Sequence, residues 1–226
     1  MIQFHGLIII PIPGQVWPFS DVFIFDLVAS ENRQTNFARR VILNQQIIKT
    51  GANIMNDQTF YFETIATPTG NMTIVTDHEN RLRAVDWEDC RARMDQLLQR
   101  HCGPNIKLRQ APQATPARRS LQAYFAGDLE AVNGAPLMTN GTEFQRAVWD
   151  ALRRIPAGQT SSYRALAADI GRPKAVRAVG LANGANPIPI FVPCHRVIGA
   201  NGSLTGFGGG LDRKRWLLAH EKSRSR

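Results

Sequence analysis

The chain has 226 residues, enough for one large or two small domains that each bury a core. With 43% hydrophobic, 20% charged and 8% aromatic residues it has the profile of a globular protein rather than a disordered, fibrous or membrane-spanning one. The net charge of +9 is segregated: 55–138 holds nine basic and ten acidic residues, 139–226 fourteen basic and five acidic, so the positive field of the second half points to nucleic acid or an anionic membrane surface as partner.

Three cysteines, Cys90, Cys102 and Cys194, are too few and too scattered for a disulfide framework, which makes a reducing compartment, the cytoplasm, the expectation. The apolar stretch near the start is broken by Pro11, Pro13, Gly14, Pro18, Asp21 and Asp26, so no span of a membrane is expected. Nothing basic precedes 6–12 and no small-residue cleavage site follows it at the usual distance, which argues against a secretory signal.

Residues 1–54 show no sustained period of 2 or 3.6 and carry prolines inside their apolar runs; they read as a leader, either a poorly ordered extension or sequence upstream of a natural start at Met55. From Phe60 the pattern predicts strands over 60–66, 71–76 and 82–87, a small antiparallel meander with turns at Pro68, Gly70 and Asp77 to Asn80. Helical patterns follow over 88–101 and 116–125, the second stopped by Gly127. An N-terminal α/β domain over 55–135 and a C-terminal domain over 140–226 are expected, with the Gly- and Pro-containing 133–141 as linker.

Thr142 and Gln145 have the spacing of a capping box, and Phe144, Val148, Ala151, Leu152 and Ile155 mark one face of the helix it opens. A second helix over 163–170 follows Ser161 and Ser162, and after Gly171 and Arg172 a third is predicted to begin with Pro173 at its first position and run to about Asn183. Two short helices joined by a glycine turn suit a helix-turn-helix, although a helical hairpin in a core has the same pattern. Ala175, Ala178, Gly180, Ala182 and Gly184 leave the third helix slim, for tight packing or for close approach to a partner, and Arg177 in so small a surface favours nucleic acid.

The segment 186–197 carries the chemistry. A proline-framed apolar run ends at Cys194-His195-Arg196, presenting a thiol beside a base and a cation, the residue types that favour a thiolate. A lone cysteine is more often a small buried hydrophobe. On an extended segment Cys194 and His195 would also point to opposite faces, so direct contact needs a bend or a bridging water.

Pro193-Cys194-His195-Arg196, followed by Val197-Ile198-Gly199 and preceded by Asn186-Pro187, resembles the acceptor-site signature of the O6-alkylguanine-DNA alkyltransferases, also called methylated-DNA–protein-cysteine methyltransferases. The resemblance covers about 60–221 and includes Tyr163, the segment 172–180, the Gly208-Gly209-Gly210 loop and the end of the last helix through Glu221. It implies an α+β fold: a ribonuclease H-like N-terminal α/β domain and a mostly helical C-terminal domain with a winged helix-turn-helix. It also implies a monomer that acts on double-stranded DNA containing alkylated guanine, without cofactor or membrane.

The same resemblance implies roles for single residues. Cys194 would attack the alkyl carbon on guanine O6 in one irreversible displacement, with O4-alkylthymine as a further possible substrate, and His195, oriented by Glu221, would take the thiol proton through a water. Tyr163, otherwise an ordinary helix-start aromatic, would donate to N3 of the leaving base. Arg177 would fill the gap left by a nucleotide flipped through the minor groove, on a helix face formed by Lys174, Ala175 and Ala178. Asn186 would tie that helix to the acceptor segment, while Val197, Phe207 and Gly208 line the base pocket. Gly208 departs from members with serine there, so only its backbone amide would be available. Cys90, Cys102, His101 and His78 lack the spacing of a zinc site, and no metal is expected. A cysteine hydrolase would use the same Cys-His-Glu set but leaves the helix-turn-helix and basic segment unexplained; a non-catalytic DNA-binding module leaves Cys194 unexplained.

Overall fold

The structure, a computed structural model, describes residues 58–224; the leader expected over 1–54 lies outside the described residues. The first part is a four-stranded sheet in the order β3-β2-β1-β4. β1 (Gln58–Ile65), β2 (Met72–Thr76) and β3 (Leu82–Trp87) pair antiparallel, as the sequence pattern requires. The meander is not the whole sheet, however. β4 (Ile106–Gln110) returns after helix α1 (Arg91–Cys102) and pairs parallel to β1, Phe60 opposite Leu108. The alternation of Ile106 and Leu108 with exposed Lys107 and Arg109 is the signature of an edge strand, too short to stand out among its polar neighbours.

Strand periodicity explains why β2 and β3 are buried on both faces. Val75 and Ala84 point to one side and pack with Phe60 under Met94 and Leu98 of α1, whereas Ile74 and Val85 point to the other, into the main core. That core runs on through Leu121 and Tyr124 of α2 (Pro116–Ala126) to Val148, Trp149 and Leu152 of α3 (Glu143–Arg153) and to the apolar run before Cys194. Helix ends follow their capping chemistry. Thr115 accepts from Arg118 N–H with Pro116 in the first turn, and Thr142 and Gln145 form the reciprocal capping box, an arrangement worth about 1 kcal/mol at a helix start.

α4 (Tyr163–Asp169) starts on the Ser162 hydroxyl and ends at Gly171, whose φ of +68° lets Arg172 N–H reach the Ala167 carbonyl and Gly171 N–H the Ala168 carbonyl. α5 (Val176–Gly184) does not begin at Pro173. Ala175 N–H closes a separate turn on the Arg172 carbonyl at 2.8 Å, and the helix starts one residue later. The two helices make the helix-turn-helix, with β5 (Ser161–Ser162) and β6 (Val197–Ile198) as a two-residue parallel ladder beside it. That ladder sets Tyr163 next to the acceptor segment. α6 (Leu211–Arg224) closes the chain. Among the described residues no helix is long and apolar enough to cross a membrane.

Candidate active site

Residues 186–196 are buried without interruption and are held by a few specific bonds. Asn186 does most of this: its Nδ2 donates to the Val192 carbonyl at 2.8 Å and its Oδ1 accepts from Ile188 N–H at 3.0 Å, closing the loop that carries Pro187 and Pro189. Ile190 sits inside that loop at φ +75°, a left-handed conformation that costs a β-branched residue on the order of 1–3 kcal/mol; full burial of its side chain offsets the strain. The edge of β3 braces the loop from outside, where Val85 N–H donates to the Pro187 carbonyl at 2.9 Å.

Cys194-His195-Arg196 is a turn of 3₁₀ helix rather than an extended segment, so the expected alternation of faces does not hold. His195 is fully buried and its Nε2 lies 2.8 Å from Glu221 Oε1. Its Nδ1 is buried with no partner among the described residues, the arrangement of a neutral imidazole that donates through Nε2 and keeps a free lone pair. Arg196, read from sequence as a cation for the thiol, instead turns to Glu221: Nε and NH2 donate to its two carboxylate oxygens at 3.0 and 2.9 Å, and NH1 donates to the Ile155 carbonyl at 2.6 Å. Tyr124 O–H and Gly158 N–H also donate to Glu221, at 2.8 and 3.1 Å. The carboxylate is thus a buried hub joining α2, α6 and the acceptor turn.

The electrostatics follow from this packing. Burial alone would push the Glu221 carboxyl up, but the His195 hydrogen bond and the Arg196 guanidinium outweigh it and hold the group far below the usual carboxylate range. Burial pushes His195 down, against the pull of Glu221, so that it is neutral at pH 7. Both groups therefore bind fewer protons folded than unfolded at acid pH, and stability is present above the unfolded pKa values and lost as pH falls below them. Urea unfolding is expected to show stability declining first below about 6.5, where His195 takes up a proton in the unfolded chain, and more steeply below about 4.3, where Glu221 does. A flat profile between pH 7 and 4 would contradict the assignment.

Cys194 is 6% exposed and opens onto a pocket of about 260 Å³, nearly nine times the roughly 30 Å³ share of one liquid water. Tyr163, Phe207 and Gly208 share this pocket with it. Burial pushes the thiol up; hydrogen bonding from Asn186 and the positive charges of Arg93 and Lys214 pull against it without reversing the shift. The resting group is therefore a thiol that needs a base. Tyr163 O–H stands 3.4 Å from Thr205 Oγ1, and its ring lies beside Gly180 of α5, where a Cβ would stand 3.9 Å from it, an ordinary contact. Phe207 packs edge-on to Trp87 at 5.8 Å, and Gly209 is obligatory beneath it because a Cβ there would stand 2.4 Å from the Trp87 ring.

Lys174, Arg177 and Ala178 are exposed on the outer face of the helix-turn-helix, Ala175 is half-buried beside them, and none of the four lines the thiol pocket. Leu181, one turn after Arg177, is 77% exposed and extends that face with an apolar side chain. Three residues that line or tune the pocket were not singled out from sequence: Arg93, Asn183 and Lys214. Lys214 is fully buried and donates to the Val197 and Thr205 carbonyls at 2.6 and 2.7 Å, tying the glycine loop to the acceptor segment. Its signal lay in spacing, since Lys214, Leu217 and Glu221 fall on one face of α6.

Comparison with known proteins identifies the family and the fold. Residues 60–139 match the family described as 6-O-methylguanine DNA methyltransferase, ribonuclease-like domain, and residues 143–223 match 6-O-methylguanine DNA methyltransferase, DNA binding domain. The methylated-DNA–protein-cysteine methyltransferase of Salmonella typhimurium is 54% identical over 162 residues, covering 70% of this chain and 94% of that protein. Among solved structures, OGT of Mycobacterium tuberculosis in complex with DNA aligns with a TM-score of 0.61 at 44% identity, over 73% of this chain and 94% of that one. An O6-methylguanine-DNA methyltransferase from Pyrococcus kodakaraensis, at 22% identity and a TM-score of 0.54 over 72% of this chain and 98% of that one, shares the fold.

Proposed function

The chain belongs to the 6-O-methylguanine DNA methyltransferase family, and from that membership and the thiol pocket we propose that it repairs DNA by moving the alkyl group of O6-alkylguanine irreversibly onto Cys194. The observation that carries the reading is a buried Cys194 at the wall of a pocket, followed in the same turn by a neutral His195 that Glu221 orients.

His195 Nδ1 takes the thiol proton through one intervening water, and Glu221, with Arg196 and Tyr124 fixing it, steadies the imidazolium that forms. The sulfur then attacks the alkyl carbon: a carbon–sulfur bond forms, the carbon–O6 bond breaks, and its electron pair passes to the guanine. Tyr163 hydrogen-bonds to N3 as that charge develops, and the proton that the thiol gave to His195 passes on through water to N1, leaving ordinary guanine and a neutral His195. The thioether has no hydrolytic exit, so each molecule acts once.

A base inside a duplex cannot reach Cys194, so the nucleotide is turned out of the stack. The exposed face of α5 enters the minor groove; its small residues permit close approach, and Arg177 occupies the space the nucleotide leaves. Minor-groove contacts read sequence weakly, which suits repair at any site. The basic C-terminal part supplies salt-dependent affinity for the backbone. The reading places the protein in the cytoplasm, as a monomer that needs no metal or cofactor.

A titration tests the function. With protein limiting and duplex O6-methylguanine in excess, repaired guanine should appear in a single burst equal to the protein concentration and then stop. Continued turnover, or no repair by folded, reduced protein, would overturn the proposal.

A further inference from the structure

The sheet part of the chain carries no motif of its own, yet it delivers a cation to the pocket. Arg93, on α1, lines the same cavity as Cys194, Tyr163 and Asn183. Its guanidinium fills the space beside Gly208: a Cβ on that glycine would lie 2.2 Å from Arg93 NH1 and 2.4 Å from its Cζ. The side chain is braced from behind, where NH2 meets both carboxylate oxygens of Asp86 at 2.8 Å; Asp86 is 1% exposed and is itself fixed by Trp87 N–H at 2.9 Å.

Two polar atoms of the pocket residues are buried without a partner among the described residues: Arg93 Nε, a donor, and Asn183 Oδ1, an acceptor on a side chain only 4% exposed. Buried polar atoms are rarely left unpaired unless something else fills them. A donor and an acceptor on two residues that line one small pocket suit an occupant with both kinds of edge. Neutral O6-alkylguanine is one, with acceptors at O6 and N7 and a donor at its 2-amino group.

Resting on the alkyl-transfer reading, we propose that Arg93 is a base-contacting residue of the site, donating a charge-assisted hydrogen bond to the O6–N7 edge of the extruded alkylguanine. The bond strengthens as the electron pair of the breaking carbon–O6 bond moves onto the guanine, so it favours the transition state over the bound substrate. The same donor disfavours adenine, whose 6-amino group would meet it donor to donor.

Single-turnover rates on duplex O6-methylguanine test this, for the parent, Arg93→Met, Arg93→Lys and Gly208→Ala, with thermal unfolding as the check on folding. Arg93→Met should slow transfer by about 10²-fold, the usual effect of removing one donor to developing oxyanion charge. Arg93→Lys should recover part of that. Gly208→Ala displaces the guanidinium while keeping Arg93 and Asp86 in the chain, and should slow transfer by about tenfold.

A substrate with carbon in place of N7 separates base contact from mere structural support. It should penalise the parent clearly and Arg93→Met much less, because the partner is already gone. Equal penalties in both proteins, or rates for folded Arg93→Met and Gly208→Ala within about twofold of the parent, would overturn the proposal. A parent that takes up no alkyl group would instead overturn the underlying reaction.

Discussion

Cys194→Ala is expected to lose alkyl uptake completely, by at least roughly 10⁴-fold in single-turnover rate, while unmodified and O6-methylguanine duplexes still bind. The two outcomes separate because the two functions lie on different surfaces. The thiol is 6% exposed in an internal pocket, whereas Lys174, Arg177 and Ala178 stand on the outer face of α5. The substitution removes one sulfur atom and leaves the Asn186 bonds to Val192 and Ile188 in place, so its cost in stability is about 1 kcal/mol. Single-turnover transfer with labelled duplex and a binding isotherm on the same preparation check both halves. Residual uptake in the variant would move the acceptor elsewhere, and Cys90 would become the first suspect, since its thiol approaches the Gly208 carbonyl at 3.6 Å.

The second large effect belongs to Glu221, whose removal should cost stability and rate together. Glu221→Ala strands the Arg196 guanidinium, 3% exposed, together with His195 and the Tyr124 hydroxyl, all of which meet the carboxylate within 3.0 Å. Breaking a buried ion pair by deleting one partner costs about 3–5 kcal/mol, which in a chain of this size lowers Tm by roughly 6–20 °C. Glu221→Gln keeps the shape and loses the charge, so it should unfold at an intermediate temperature. Its transfer rate, measured well below that temperature, should still fall by about 10²-fold or more, because the imidazolium loses its counter-charge and His195 its fixed tautomer. The rate of the glutamine variant should also rise more steeply with pH than the parent's, as direct ionisation of the thiol replaces transfer to His195. A variant that loses Tm but keeps its rate would confine Glu221 to a structural role.

How much of this was legible in the sequence depends on whether the signal is local. The capping box at Thr142, the antiparallel meander and the glycine stop at Gly171 depend on residues within a few positions of one another, and the structure has all three. Pro173 misled because proline is at home in the first turn of a helix, whereas here the Arg172–Ala175 turn uses it before the helix begins. β4 was missed because its pairing with β1 is non-local and only Ile106 and Leu108 are half-buried.

In the site, the residues themselves bring out Cys194 and His195, and only the family resemblance adds Glu221 and Tyr163; the structure sets His195 on Glu221 and Tyr163 in the pocket of Cys194. What spacing cannot convey is direction. The Cys-His-Arg triplet looks like three groups for one thiol until the 3₁₀ turn swings Arg196 onto Glu221. Arg93 is further out of reach, because it comes from a helix of the sheet part, in a segment that reads as an ordinary charged face. It becomes a pocket residue only because the edge of β3 hydrogen-bonds to Pro187 and Trp87 packs on Phe207, docking the sheet against the acceptor loop.

The central claim, that Cys194 is the terminal acceptor of an alkyl group from DNA, is tested most directly by the mass of the protein after reaction. Reduced protein incubated with a duplex carrying one O6-methylguanine, then digested and mapped, should gain a single methyl group per molecule, all of it on the peptide containing Cys194, with unmodified guanine left in the DNA. Folded protein that binds the duplex yet gains no mass, or gains it at another residue, would contradict the account.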